Sequence, residues 1–208
     1  PTGHHFDAAT FREVVAMADA RGVTVFSDEV YRELEHDPRL RLPAACELSP
    51  RAVSLGVMSK AYGLPGLRIG WAASHNAALL AGMATVKDYL SICASAPAEV
   101  LACVALRHRQ TLVARNLAIV QVNLRRLDAF FASHNVLFSW TRPVAGPIGF
   151  VRYHGAEPTA TFCARVAEGC GVLLAPGELY DRPGHFRLGF GRANLPEAVD
   201  VLEGWLGR

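Results

Sequence analysis

Ser59-Lys60-Ala61-Tyr62-Gly63-Leu64-Pro65-Gly66-Leu67-Arg68-Ile69-Gly70-Trp71 carries more information than any other stretch of this chain. One apolar run, residues 52–57, leads into it, and a second, residues 69–73, leads out. Between them lie a lysine, the turn Gly63-Leu64-Pro65-Gly66 and, eight residues after the lysine, Arg68. A lone lysine at a strand end reads as an ordinary surface residue. This one stands beside glycines, which let backbone approach a ligand closely, and is followed by an arginine able to grip a phosphate. An amine able to form an imine and a phosphate-binding guanidinium flanking one turn define a candidate cofactor site.

Upstream, the same rhythm repeats. Asp7 suits the cap of a helix with Phe11, Val14, Val15 and Ala18 as its apolar face, ended at Arg21-Gly22. Val23-Thr24-Val25-Phe26 then reads as a buried parallel strand that stops at Ser27-Asp28-Glu29. Helix, strand, polar tip, strand, polar tip is the pattern of an α/β sheet. Functional groups gather at the strand ends of such sheets, so Asp28 and Lys60 are expected together at one end of a mostly parallel sheet. Downstream, a helical region opens at Pro97, and its second part, residues 112–131, reads as one long helix. Strands follow over 136–140, 148–153, 172–175 and 185–190, with helices over 159–168 and 195–206. The early part is α/β, the late part a smaller α+β unit, and the long helix is the natural joint between residues 1–118 and 119–208.

Three further residues carry candidate chemistry. Taken alone, Asp28 reads as a cap for the element after it, and Tyr31 as a buried aromatic with a satisfied hydroxyl. Arg187 alternates with Phe186, Leu188 and Phe190 and reads as half of a structural salt bridge. Pyridoxal phosphate gives all three one purpose. A carboxylate beside its pyridine nitrogen keeps that nitrogen protonated, because each charge favours the other; a phenol three residues on is placed for its phenolic oxygen. An amino-acid carboxylate is planar and accepts a bidentate arginine, a role for which Arg192 competes with Arg187.

In order, the chain shows Pro-Thr-Gly (1–3), Asp-Glu-Val-Tyr (28–31), the Lys60 to Trp71 block, and a late strand arginine. This series resembles the fold-type I aminotransferases of class I/II, and the resemblance covers the whole chain. It implies an α/β fold: the C-terminal part of an aspartate aminotransferase-like large domain (1–118), then a small α+β C-terminal domain (119–208). It also implies pyridoxal 5'-phosphate as cofactor. Lys60 would form the Schiff base and shuttle the substrate proton. Asp28 would meet the pyridine nitrogen, Tyr31 the phenolic oxygen, Arg68 and Ser59 the phosphate, and Arg187 the substrate α-carboxylate. The implied reaction moves an amino group between an α-amino acid and a 2-oxo acid in a homodimer. The same residues serve carbon–sulfur lyases and cyclising enzymes, because such chemistries diverge after a shared carbanion; an inactive truncated protein is the remaining alternative.

Two departures from the family pattern matter. Val57 stands where the family often has Ser or Thr three residues before the lysine, so one phosphate contact is missing. The asparagine of the family's Asn-Pro-Thr-Gly would precede Pro1, so the chain reads as an N-terminally truncated fragment. On that reading it lacks a ring-stacking aromatic and the helix N-terminal donors for the phosphate, and alone it should bind the cofactor weakly or not at all.

The remaining features are exclusions. Half-hydrophobic composition with net charge +2 fits a soluble globular protein. No basic stripe interleaved with aromatics points to nucleic acid, and no apolar run is long enough to span a membrane. Five cysteines are an odd number without zinc-ligand spacing, which argues against metal and for a reduced, cytoplasmic protein. His4 and His5 read as loop residues, and Gly189-Phe190-Gly191-Arg192 lacks the strand–glycine–helix context of a dinucleotide site.

Overall fold

A computed structural model describes residues 1–207, which form two compact units. One is Phe6–Asn116; the other runs from Leu117 onward and includes Pro1–His5. The division after Asn116 lies two residues from the boundary expected at 118, and Pro1–His5 group with the later residues. The Gly3 carbonyl accepts from the Val144 N–H at 3.3 Å, which ties the N-terminal pentapeptide to the second unit.

In the first unit, α1 (Ala8–Ala20) begins at Asp7, whose carboxylate accepts from the Ala9 and Thr10 N–H groups at 2.9 Å each. Of the expected apolar face only Val15 is fully buried. Strand β1 is Phe26–Asp28, later than the apolar run predicts, and Val23 and Phe26 are 54% and 56% exposed rather than buried. Pairing explains the offset. β1 lies parallel to β2 (Val53–Val57), from Phe26 opposite Val53 to Asp28 opposite Leu55. β2 in turn lies antiparallel to β3 (Gly70–Ala73), with Val57 opposite Gly70. The order β1-β2-β3 makes this sheet mixed, not mostly parallel, and leaves β1 at an edge with no strand covering its outer side among the described residues.

Three helices complete this unit: α2 (Ala45–Leu48), α3 (Ala77–Leu90) and α4 (Ala96–Arg107). The sequence reading assigned no helix at α3, although Asn76 caps it by accepting from the Leu79 N–H at 3.0 Å. Met58, Ala102 and Ala105 form the unit's small buried cluster, packed by Leu64, Leu67 and Ile69. That cluster seats the turn after β2 against α4.

Helix α5 (Arg109–Ser133) carries the boundary between the units, after Asn116. Beyond it, β4 (Phe138–Trp140), β5 (Ile148–Tyr153), β6 (Ala175–Pro176) and β7 (His185–Gly189) form an antiparallel sheet of order β4-β5-β7-β6, with α6 (Thr159–Cys170) and α7 (Leu195–Leu206). The expected strand over 172–175 shrinks to a two-residue pairing at its end. Phe130, Phe138, Phe162, Phe186 and Phe190 dominate the core. Buried Asn123 of α5 donates to the Phe190 and Arg192 carbonyls at 2.8 and 2.7 Å, satisfying backbone acceptors just past β7. Among the described residues, no helix is long and apolar enough to cross a membrane.

Candidate active site

The register of the first sheet decides which residues meet. β1 and β2 are parallel, so Asp28 at the end of β1 and Lys60 just beyond β2 emerge at the same end. β3 is antiparallel to β2, and the Met58 N–H donates to the Ile69 carbonyl at 3.0 Å. Arg68, immediately before that contact, therefore comes to this end as well. The Lys60 amine lies over the Tyr31 ring, 5.6 Å from its centroid. Among the described residues no carboxylate pairs with Lys60, Asp28 forms no ion pair, and Arg68 donates only to the Pro65 carbonyl, at 3.0 Å. Asp28 does show the capping behaviour expected of it alone, accepting from the Val30 N–H at 3.2 Å. Ser59 is half-buried beside Lys60.

Backbone strain marks the same place. Arg68 has φ 54° and ψ 36°, a left-handed conformation that costs a non-glycine residue about 1–2 kcal/mol. Gly63, with φ 69°, bends the Lys60 turn where a side chain has no room: a Cβ there would lie 2.9 Å from the Asn116 Nδ2. That Asn116 nitrogen, from the first turns of α5, donates to the Ala61 carbonyl at 2.8 Å. The Gly63 N–H closes the turn on the Lys60 carbonyl at 3.0 Å.

The loop carrying Tyr31 is folded by charges more than by apolar packing. Its one fully buried hydrophobic residue between Glu29 and Leu42 is Leu34. Arg32 donates to the Leu42 carbonyl at 2.6 Å and stands 3.9 Å from Glu29. Buried Glu35 accepts from the Glu33 N–H at 3.2 Å and pairs with Arg41 at 3.1 Å, and Arg41 also approaches Glu33 at 3.8 Å. A cavity of about 220 Å³ opens beside this loop, lined by Arg32, Glu33, Tyr62, Trp71 and Arg109 among others. Burial first, and Glu33 second, push the Tyr62 phenol up to about 12.

Arg187 belongs to the second unit. Its neighbours Phe186 and Leu188 are buried, while Arg187 projects from the other face of β7, half-buried, and its Nη1 donates to the Tyr180 hydroxyl at 2.7 Å. Among the described residues it has no carboxylate partner, so the salt bridge expected of a purely structural strand arginine is not formed.

The family model for aminotransferase class I and II matches residues 1–202. The chain belongs to the class I and II aminotransferase family. Its relatives include the capreomycidine synthase of Streptomyces vinaceus, 29% identical over 210 residues, which covers all of this chain and 53% of that protein. Among solved structures, a PLP-dependent aminotransferase from Streptococcus suis superposes with TM-score 0.91 at 34% identity, over the whole chain and 55% of its own. The PLP-dependent cyclase OrfR superposes with TM-score 0.89 at 28% identity, over the whole chain and 56% of its own. This chain thus has the α/β fold of the C-terminal portion of PLP-dependent aminotransferases, and it spans about half the length of the curated relatives it matches.

Within this aminotransferase fold, two residues that sequence reasoning passed over hold the candidate site in shape. Glu29 lies inside the Asp-Glu-Val-Tyr tetrapeptide, yet it drew no role. Its Oε1 accepts from the Ala45 N–H at 2.8 Å and from the Ser54 hydroxyl at 2.7 Å, pinning the end of β1 to β2 and α2. Its position next to Asp28 was the available signal. Asn116 had none, because its partner Ala61 is 55 residues away in sequence.

Proposed function

We propose that this chain carries the lysine-bearing part of a pyridoxal 5'-phosphate-dependent aminotransferase that moves an amino group between an α-amino acid and a 2-oxo acid. The observation that carries the reading is the Lys60 amine, free of carboxylate partners among the described residues and poised over Tyr31 at the sheet end shared by Asp28 and Arg68. An amine, a carboxylate and a guanidinium at one sheet end, none paired with another, suit a ligand that bears an aldehyde, a basic ring nitrogen and a phosphate.

When bound, the cofactor supplies a ring that withdraws electrons from the substrate α-carbon. Asp28 would hold the ring nitrogen protonated, and the Tyr31 hydroxyl would donate to the phenolic oxygen. Arg68 and Ser59 would bind the phosphate, without help from Val57, which has no hydroxyl. The Lys60 Nζ takes up the proton of the substrate α-carbon and gives it back, acting as general base and then acid. Arg187 binds the substrate α-carboxylate with its paired N–H donors. Residues 1–118 and 119–208 serve on this reading as parts of the large and small domains. The protein works as a cytoplasmic homodimer; five free cysteines support the compartment, and the exposed apolar residues Tyr89, Leu90, Ile92 and Leu101 support association.

The test is chemical. Borohydride makes even a weakly populated imine permanent, so treating the chain with pyridoxal phosphate and borohydride should place the adduct on Lys60. An adduct on Lys87, the only other lysine, would overturn the assignment. A second reading, a PLP-dependent cyclising enzyme, draws support from the likeness to capreomycidine synthase and to the cyclase OrfR. Product analysis separates the two: a cyclised product, rather than a 2-oxo acid, would favour it.

A further inference from the structure

Arg187 sits mid-strand in β7 with five N–H donors, and among the described residues only one is engaged, by the Tyr180 oxygen. The acceptor is as informative as the donor. Tyr180 closes the short turn Gly177–Tyr180, where the Asp181 and Arg182 N–H groups bind the Glu178 and Gly177 carbonyls at 3.2 and 2.9 Å. Its ring meets Phe150 edge-on, with centroids 5.9 Å apart and planes at 86°. Phe150 lies directly opposite Arg187 in the β5–β7 register, and its ring stacks on His185 at 5.1 Å and 5°.

The phenol is therefore held by ring packing and by the turn, not by the arginine alone. Its oxygen accepts from Arg187, so its own proton is directed elsewhere, and among the described residues no acceptor takes it. A hydroxyl donor and a guanidinium with spare donors, fixed 2.7 Å apart on one sheet face, are complementary to a single carboxylate.

We propose that Tyr180 and Arg187 form one carboxylate receptor, in which the Tyr180 O–H donates to a carboxylate that the Arg187 guanidinium also binds. The proposal rests on the reading of Arg187 as the α-carboxylate site and adds Tyr180 as a substrate-binding residue. Tyr180→Phe removes one oxygen and keeps the ring against Phe150, so the fold is preserved.

The experiment is a titration of the full chain, without cofactor, with benzoate, following the Arg187 side-chain N–H signals by NMR. The unsubstituted chain should shift those signals saturably. Tyr180→Phe should weaken benzoate binding about tenfold, the weight of one hydrogen bond to a charged acceptor, with the folded-state NMR spectrum kept and only a small drop in thermal midpoint from the lost Arg187–Tyr180 bond. Equal affinity in Tyr180→Phe would overturn the role of Tyr180 and leave that of Arg187 standing. Loss of the dispersed folded-state spectrum accompanying lost binding would make Tyr180 structural and overturn the proposal. No benzoate-dependent change at Arg187 in the unsubstituted chain would overturn both.

Discussion

Asn116→Asp exchanges the amide nitrogen that holds the Lys60 turn for an oxygen of nearly the same size. The nitrogen donates to the Ala61 carbonyl at 2.8 Å. After the exchange, two oxygens face one another across that distance. The side chain cannot simply back away on its other flank, since Gly63 is close enough that a Cβ there would lie 2.9 Å from the amide nitrogen. Losing the hydrogen bond costs about 1 kcal/mol, and leaving the carbonyl without its donor raises the total to roughly 1–3 kcal/mol. Ala61 is covalently next to Lys60, so the loosened turn should change how the lysine presents its amine. Trace acylation of the folded chain, with both lysines quantified by mass spectrometry, reads this directly. Lys87 donates to the Ile92 carbonyl at 2.9 Å, well away from the substitution in the chain, and serves as internal reference. We expect the Lys60-to-Lys87 labelling ratio to change about fivefold, the equivalent of one ordinary hydrogen bond, together with a lower denaturation midpoint. A lowered midpoint with an unchanged ratio would refute the reasoning: Asn116 would then stabilise α5 without governing the lysine.

Two further outcomes follow from the same structure. On the proposed function, Asp28→Asn, tested in the protein that carries activity, should lower kcat on the order of 100-fold, since Asp28 would no longer hold the ring nitrogen protonated, while Arg68 would still bind the phosphate and pyridoxal phosphate affinity would move far less; turnover that survives intact would refute the electron-sink role. Burial first, and Glu178 second, push the Cys163 thiol up to about 11, so less thiolate is present at pH 8 than for an ordinary cysteine. Iodoacetamide should therefore modify exposed Cys93 and Cys103 before Cys163, and early alkylation of Cys163 in the folded chain would contradict its burial.

What could be read in advance was whatever is written locally. The Lys60 to Trp71 block carries its own chemistry in consecutive letters, and the apolar runs before Lys60 and after Arg68 became β2 and β3 within a residue or so. Asp28 and Lys60 were placed at one end because each ends a strand-like run, and the parallel pairing of β1 with β2 brings them there. Edges were harder. Val23 to Phe26 has the composition of a buried strand, but pairing with Val53 begins only at Phe26, and the outer side of β1 is exposed. Helix α3 escaped notice because its sequence, Ala-Ala-Leu-Leu-Ala-Gly-Met-Ala, is apolar nearly all round and so has no face to detect; none of its residues is fully buried. Asn116 and Tyr180 were invisible for another reason. Each acts on a residue made near only by folding, and neither sits in a motif.

The loop that carries Tyr31 has a consequence for which changes this family member can accumulate. Loops are ordinarily where insertions and deletions are tolerated. Here Arg32 reaches the carbonyl ten residues on, Glu35 reaches back to the Glu33 N–H, and Arg41 answers both Glu33 and Glu35. Those spacings are met at one loop length only. An extra residue between Arg32 and Arg41 would leave the buried Glu35 carboxylate without its cation, a costlier fault than most surface substitutions. This stretch should therefore behave in evolution like a core element, varying in side chains at its exposed positions but not in length.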